Sequence, residues 1–335
     1  MESRVIVKNS FYDTIRSLSS SNIVFPAIPE MGEEILDSMK LSGKIDQLEA
    51  NLVQDLDIRN GMDFSKSGVI IAGYDESIQR YSALEGKAVL TSHAIVVPTM
   101  DDYAAMTYLT AYFYTKSEEV GRITGLTTVK DATRQPQVDK VMDQLELMKN
   151  VPEGSLLFID GPLIAGDAYT YLISSQDQFK ERNIFPVFFV KNSNSNLIVE
   201  YTDLTSNKFN SDMHWANTIL KSGQRTSFFK YTDSINDRNA KIFCYVKHFN
   251  GRSPVRVEFF VDAFNENRSI VKDVMDLILY MLICQGNPNN SQIRPIAVAE
   301  QYARAVINMV DLKKVMHSSG LTSTMNEARG FEEGE

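Results

Sequence analysis

The chain is poor in the residues that build secreted and membrane proteins. Its 335 residues include only two cysteines, Cys244 and Cys284, and both lie in apolar contexts typical of a protein core. The longest apolar stretch, around Leu277 to Cys284, is far too short to span a bilayer. The first residues carry no basic and apolar signal pattern. We therefore expect a protein of the reducing cytoplasm that does not enter the membrane.

Positive charge is also scarce. The chain has 34 lysines and arginines against 43 aspartates and glutamates, which gives a formal net charge of -9. Non-specific affinity for DNA comes largely from lysine and arginine replacing counterions, so the composition argues against a protein that coats nucleic acid. Any DNA site must be local, and part of the excess acid could serve as metal ligands.

Several motifs of common enzyme classes are absent. There is no G-x-x-x-x-G-K-[ST] loop, so we do not expect ATP hydrolysis by this chain. G-x-S-x-G and G-x-G-x-x-G are missing too, which argues against an α/β-hydrolase or a dinucleotide enzyme. The four histidines show no zinc-ligand spacing, and His93, which lies in an apolar run, is predicted to be a core residue.

Two apolar runs end abruptly in a carboxylate. The segment 156–163, LLFIDGPL, reads as a buried strand that delivers Asp160 to a sheet edge. Upstream, residues 69–72 form a similar run that is followed by Asp75, with Glu76 beside it. Mg²⁺ and Mn²⁺ bind oxygen ligands, and two-metal phosphodiester hydrolysis needs carboxylates that converge from separate elements. The alternative for either aspartate is a cap on a turn or helix.

The middle of the chain has the texture of an α/β core. Short β-branched and aromatic runs at 88–97, 184–190, 241–248 and 255–261 predict further strands, the last two joined at Asn250-Gly251. Helical spacing appears at 136–148 and 296–316. The length fits one large domain or two smaller ones.

Both ends of the chain differ from this core. Apolar residues recur at three- and four-residue steps from Glu33 to Leu56, which predicts an N-terminal helical arm over residues 1–66 that packs on the core or docks a partner. The α/β domain is expected over 67–318. The acidic tail, 319–335, is expected to be disordered.

With these elements in order, the chain resembles the NurA family of DNA-end-processing nucleases from about Gly68 to Ile307. The resemblance rests on five segments, which are Tyr74 to Ser77 (YDES), Phe158 to Leu163 (FIDGPL), Val187 to Ser195 (VFFVKNSNS), Leu220 to Phe229 (LKSGQRTSFF) and Pro254 to Phe260 (PVRVEFF). The second segment matches the family's aspartate-glycine motif most closely.

That resemblance implies a fold and an activity. The fold is an RNase H-like mixed β-sheet flanked by helices. The activity is Mn²⁺-dependent (or Mg²⁺-dependent) hydrolysis of DNA, as a 5′-to-3′ exonuclease and single-strand endonuclease, in end resection and double-strand break repair. The implied partners are single-stranded DNA and duplex ends, a second copy in a homodimer, and a hexameric HerA-type ATPase.

Site residues follow from the resemblance position by position. Asp75 and Asp160 match the family's aspartate ligands, and the helical glutamate between them falls on Glu146, with Asp143 as the alternative. Where the family has a tyrosine and, eight residues later, a histidine, this chain has Gln292 and Glu300.

Two hypotheses follow from that departure. Either Glu300 serves as a fourth metal ligand and activity is retained, or the chain is a catalytically impaired DNA-binding or assembly subunit. Lys191, Arg225 and Arg256 are the candidates for phosphate contacts, with Gln292 also in the DNA-binding set. For Arg256 the competing interpretation is a pair with Glu258 along the strand.

Overall fold

The structure is a computed structural model that describes most of the chain after residue 42. The described residues are 43–99, 102–120, 129, 134–163, 175–193, 195–201, 208–234, 239–284 and 291–318. The acidic tail and the first part of the predicted helical arm lie outside these ranges. Within them, no helix is both long and apolar enough to cross a membrane.

A mixed β-sheet forms the centre of the described part. Its strands are β1 (Gly43–Gln47), β2 (Val53–Asp55), β3 (Ile70–Ser82), β4 (Lys87–Pro98), β5 (Tyr103–Tyr114), β6 (Ser155–Asp160), β7 (Phe185–Val190), β8 (Gln224–Thr226), β9 (Phe229–Asp233), β10 (Ala240–Lys247) and β11 (Val255–Phe260). The strand order is β1-β9-β10-β11-β7-β6-β3-β4-β5, with β8 paired to β10 and β2 paired to β8.

The helices pack around this sheet. They are α1 (Ile58–Ser65), α2 (Gln135–Met148), α3 (Gln176–Glu181), α4 (Leu197–Tyr201), α5 (Asp212–Ile219), α6 (Val261–Glu266), α7 (Arg268–Cys284), α8 (Arg294–Ile307) and α9 (Leu312–Ser318). The helix expected at 296–316 is thus two helices, α8 and α9. Proline stands in the first turn of α2 and of α8, where the missing N–H costs nothing.

The order of strand directions is that of an RNase H-like fold. β3, β4 and β5 form an antiparallel meander, β6 runs parallel to β3, and β7 runs parallel to β6. Helix α2 connects β5 to β6. The central strands β6 and β7 are almost entirely buried, as expected for parallel strands covered on both faces. The predicted RNase H-like mixed sheet flanked by helices is confirmed.

Two helices lie on opposite faces of β3. A Cβ built on Gly73 would lie 2.4 Å from the backbone of Pro295, so only glycine allows α8 to approach this closely. The neighbouring Tyr74 packs instead in a cluster with Val141 and Leu145 of α2. Since side chains alternate along a strand, every second residue of β3 faces α8.

The predicted helical arm is wrong for residues 43–56. These residues form β1 and β2, which pair with β9 and β8. The apolar residues that suggested a helix do reach the core, because Ile45 and Leu52 pack around Trp215. Short runs cannot be assigned by periodicity alone when their strand partners lie far away in sequence.

An ion pair anchors this N-terminal segment to the sheet. The Glu49 carboxylate accepts hydrogen bonds from Nη1 and Nη2 of Arg225, at 2.6 and 2.8 Å, and from the backbone N–H of Phe228 at 2.9 Å. The guanidinium carbon also lies 4.1 Å from the centre of the Phe228 ring. Burial alone would raise the pKa of Glu49, but Arg225 lowers it below its ordinary value.

Replacing Glu49 with alanine should destabilise the protein. The variant leaves the buried Arg225 without its bidentate partner, and the free energy of unfolding should fall by about 3 kcal/mol. Urea denaturation measures this change. The matched control is Asp46→Ala, which removes a half-exposed ion pair to Lys44 and should change stability by less than about 0.5 kcal/mol. Equal losses of unfolding free energy in the two variants would contradict the claim that the ion pair of Glu49 and Arg225 anchors this segment.

Candidate active site

The carboxylates of Asp75 and Asp160 lie beside each other on one face of the sheet. The parallel register of β3 and β6 pairs Tyr74 with Ile159, so the next residues in that register are the two aspartates. Asp75 lies two residues after Gly73 and therefore shares the face covered by α8. The structure thus brings together the two carboxylates that the sequence predicts, but only Asp160 ends its strand, because β3 continues past Asp75 to Ser82.

The two aspartates repel each other in a buried setting. Asp75 is only 4 % exposed, and its Oδ1 accepts the backbone N–H of Glu76 at 2.6 Å. Burial, together with the charge of Asp160, raises the pKa of Asp75 to about 8. Burial also raises the pKa of Asp160, against the opposing effect of Lys191. A positive charge between the two carboxylates would reduce this electrostatic repulsion.

Glu300 belongs to the same cluster. It lies on α8, where its Oε1 is 2.7 Å from the guanidinium of Arg304 one turn further along the helix. The charge of Glu300 contributes to the raised pKa of both Asp75 and Asp160. Helix α8, whose close approach to β3 depends on Gly73, therefore adds a third carboxylate to the site.

A lysine partly compensates this negative charge. Lys191 immediately follows β7, and its Nζ lies 3.1 Å from Oδ2 of Asp160. The other oxygen of that carboxylate, Oδ1, is buried and has no hydrogen-bond partner. A buried carboxylate oxygen that lacks a partner is costly, and a bound cation is one way to satisfy it.

Helix α2 turns Asp143, and not Glu146, toward the sheet. The Asp143 carboxylate accepts hydrogen bonds from the hydroxyls of Thr110 and Tyr112, at distances of 2.8 to 2.9 Å. The Glu146 side chain is 60 % exposed and pairs with Lys149 on its own helix. The structure therefore does not bring Glu146 to the cluster, and Asp143 is the buried carboxylate of α2.

A second polar cluster lies on the α2 face of β3. The Tyr74 hydroxyl is 2.7 Å from Nδ1 of His93 and 3.2 Å from Glu76, which also forms an ion pair with Lys140. His93 is fully buried, as its apolar surroundings predict. Sequence reasoning missed this cluster. The signal that could have revealed it is the alternation of side chains along β3, which places Asp75 and Glu76 on opposite faces of the sheet.

Three other predicted DNA-binding residues are buried. Arg225 pairs with Glu49, as described above. Arg256 contacts Glu258 through its Nε at 2.8 Å, which is the strand-paired alternative considered from the sequence. Gln292 is 6 % exposed and precedes α8. In this structure neither guanidinium is presented to solvent, whereas the Lys191 ammonium is partly exposed beside the cluster.

The residues present fit a divalent metal ion chemically. Asp75, Asp160 and Glu300 supply only carboxylate oxygens, which suit Mg²⁺ or Mn²⁺, and the unpartnered Oδ1 of Asp160 is available as a ligand. In the described part of the chain, no three His, Cys, Asp or Glu side chains are already arranged to hold a metal. Binding would therefore require the side chains to rearrange, including displacement of the Lys191 ammonium.

The family of the chain follows from its sequence. The NurA domain family model matches residues 107–305, which is more than half of the chain. The chain therefore belongs to the NurA family of nucleases. No curated protein sequence matches it significantly.

Solved structures with a similar course of the backbone include other nucleases. The NurA nuclease from Sulfolobus solfataricus has a TM-score of 0.48 and 12% identity, covering 93% of this chain and 94% of that one. A NurA crystal structure with manganese has a TM-score of 0.41 and 9% identity, covering 73% and 88%. Endonuclease V from Bacillus subtilis has a TM-score of 0.37 and 8% identity, covering 73% and 83%.

Removing the charge of Asp75 should stabilise the metal-free protein, increasingly so at high pH. When the pKa of an aspartate is higher in the folded than in the unfolded state, the protein loses stability as the pH rises between the two pKa values. For Asp75 these are near 4 in the unfolded state and about 8 in the folded state. Asp75→Asn does not ionise, so its advantage over the natural chain should grow across this window. It should reach about 1 kcal/mol or more at pH 8.5.

The measurement is urea unfolding in EDTA at pH 5, 7 and 8.5. Asp46→Asn serves as the control, since it removes an aspartate from the half-exposed pair with Lys44. A stability difference for Asp75→Asn that does not change with pH would contradict the burial argument.

Proposed function

We propose that the chain is a metal-dependent deoxyribonuclease. The observation that carries this proposal is the pair of carboxylates, the buried Asp75 and the half-buried Asp160, at adjacent positions of two parallel strands. Mn²⁺ or Mg²⁺ is the cofactor that suits these oxygen donors. A bound ion of this kind activates water and stabilises negative charge on a phosphodiester. Membership of the NurA family supports the same activity.

In this proposal the protein residues have distinct roles. Asp75, Asp160 and Glu300 would hold the metal, with Asp75 buried and the other two carboxylates partly exposed. Lys191, which neutralises Asp160 in the present structure, is released to contact a DNA phosphate. Asp143, and not Glu146, is the α2 carboxylate that supports the site, and it does so from the face of the sheet opposite Asp75, where it is buried against β5.

The proposed setting is DNA end resection and double-strand break repair in the cytoplasm, with 5′-to-3′ polarity, together with a hexameric HerA-type ATPase. This part rests on the family. A homodimer is also proposed, and β5 supports it, because this strand ends the strand order and exposes Met106, Tyr108 and Leu109. An exposed apolar edge strand is a surface that a second copy can cover.

Asp160→Asn should abolish DNA cleavage without unfolding the protein. The amide keeps the size of the side chain but is a poor metal ligand, so the rate should fall by at least about a hundredfold. The assay uses end-labelled single-stranded and duplex DNA with Mn²⁺, Mg²⁺ or EDTA, with and without a HerA-type ATPase. Full activity in the variant would overturn the proposal. A folded natural chain that never cuts would favour the catalytically impaired subunit instead.

A second pair of variants separates the roles of Asp143 and Glu146 of α2. Asp143→Asn should lower the cleavage rate by roughly tenfold or more, because this buried carboxylate, through Thr110 and Tyr112, orders the face of the sheet opposite Asp75. Glu146→Gln changes an exposed residue and should leave the rate within about twofold. Circular dichroism checks that both variants fold. The reverse ranking would restore Glu146 as the ligand that the sequence predicts.

A further inference from the structure

A network of buried charges lies next to the candidate active site. Glu258 of β11 is completely buried, and its Oε1 lies 2.6 Å from Nζ of Lys241 and 2.8 Å from Nε of Arg256. Burial alone would raise the pKa of Glu258, but the two cations lower it, so the carboxylate stays ionised. Asp212 also interacts with Arg256 and balances the second positive charge. We refer to these four residues as the buried charge network.

The network fixes the turn that follows Asp160. The other oxygen of Glu258, Oε2, accepts the backbone N–H of Leu163 at 2.7 Å. Within the same turn, Gly161 has a φ of 99°, a left-handed conformation that favours glycine, and its N–H donates to the Phe189 carbonyl at 3.0 Å. The backbone directly after Asp160 is therefore held at two points.

The network also fixes the segment that follows Lys191. Nη1 of Arg256 donates a hydrogen bond to the hydroxyl of Ser193. Asp212 accepts the hydroxyl of Ser195 at 3.0 Å and the backbone N–H groups of Ile198 and Val199 at 2.8 and 2.9 Å. One connected set of charges thus holds the segments that carry both members of the Asp160 and Lys191 pair.

The network acts through the main chain. Val257 and Phe259, the neighbours of Glu258 on β11, pack in the cluster that contains α7, so Glu258 points to the opposite face. Asp75 lies on the face of the sheet that α8 covers, and Ile296 of α8 belongs to the same cluster as α7. Glu258 and Asp75 therefore lie on opposite faces of the sheet. A buried ion pair is weak evidence for stability, since apolar residues of similar size often stabilise a fold equally well. The hydrogen bonds of the buried charge network to the segments after Asp160 and Lys191 point instead to a role in fixing the positions of these two residues.

We propose that Glu258 is a positioning residue for the metal site, which sets the place of Asp160 through Leu163 N–H and of Lys191 through Arg256 and Ser193. The inference rests on the proposed function, because the metal site is part of it. Groups that orient the ligands of a metal without touching the ion usually affect its affinity by about 10- to 100-fold.

The test uses two double variants that differ in a single property. Lys241→Met with Glu258→Gln removes one charge of each sign and keeps an oxygen that can accept Leu163 N–H. Lys241→Met with Glu258→Leu removes the same charges and offers no acceptor. Affinity for Mn²⁺ is measured from the electron paramagnetic resonance signal of the free ion. Near-ultraviolet circular dichroism and thermal melting report on the fold.

We expect the leucine variant to bind Mn²⁺ at least about tenfold more weakly than the glutamine variant, while both remain folded. Equal affinities in the two folded variants would overturn the inference. A natural chain that binds no Mn²⁺ would instead overturn the proposed function.

A single variant keeps the inference testable if the leucine protein does not fold. Ser193→Ala removes the half-buried hydroxyl that Arg256 contacts, which also accepts a hydrogen bond from the backbone N–H of Ser195 at 3.2 Å. It should weaken Mn²⁺ binding by about threefold or more with the melting temperature unchanged. Unchanged Mn²⁺ affinity in this variant would overturn the inference.

Discussion

The parallel pairing of β3 with β6 is the constraint on which the candidate site depends. It places Asp75 and Asp160 at successive register positions, on a face from which most water is excluded. Two like charges in such a place repel each other, so the fold carries an electrostatic cost there. The apolar burial of β6 and β7 on both faces of the sheet opposes this cost.

The surroundings of the two aspartates change this cost and control their geometry. Lys191 contributes a positive charge that reduces the repulsion, whereas the close approach of α8 at Gly73 brings in Glu300, whose negative charge adds to it. On the opposite face, Glu258 holds the turn after Asp160. The carboxylates of Asp75, Asp160 and Glu300 are thus connected to the buried charge network by the residues that directly follow β6 and β7.

The sequence predicts the strand-end carboxylates because they need only local information. An apolar run ending in a carboxylate predicts a strand end, and Asp160 does end β6, whereas β3 continues past Asp75 to Ser82. Glu146 illustrates the opposite case, since choosing between it and Asp143 requires knowing which face of α2 packs on the sheet. Arg225 carries charge that suits DNA, but its partner, Glu49, is set by a tertiary contact. Arg256 pairs with Glu258 two residues along the same strand, which is the competing interpretation that the sequence already offers.

The N-terminal segment was mispredicted for a related reason. Residues 43–56 have helix-like spacing, yet β8 and β9, their strand partners, lie more than 160 residues further along the chain. Long-range pairing of this kind overrides local periodicity, and periodicity read from one sequence contains no information on it.

The most direct test of the central claim is to locate the metal. Crystals of the protein soaked in Mn²⁺ would give an anomalous difference map recorded at the manganese edge. The account predicts a peak within bonding distance of carboxylate oxygens from both Asp75 and Asp160, with the Lys191 ammonium moved away from Asp160. A map with no peak there, and with Lys191 still paired to Asp160 at saturating Mn²⁺, would contradict it.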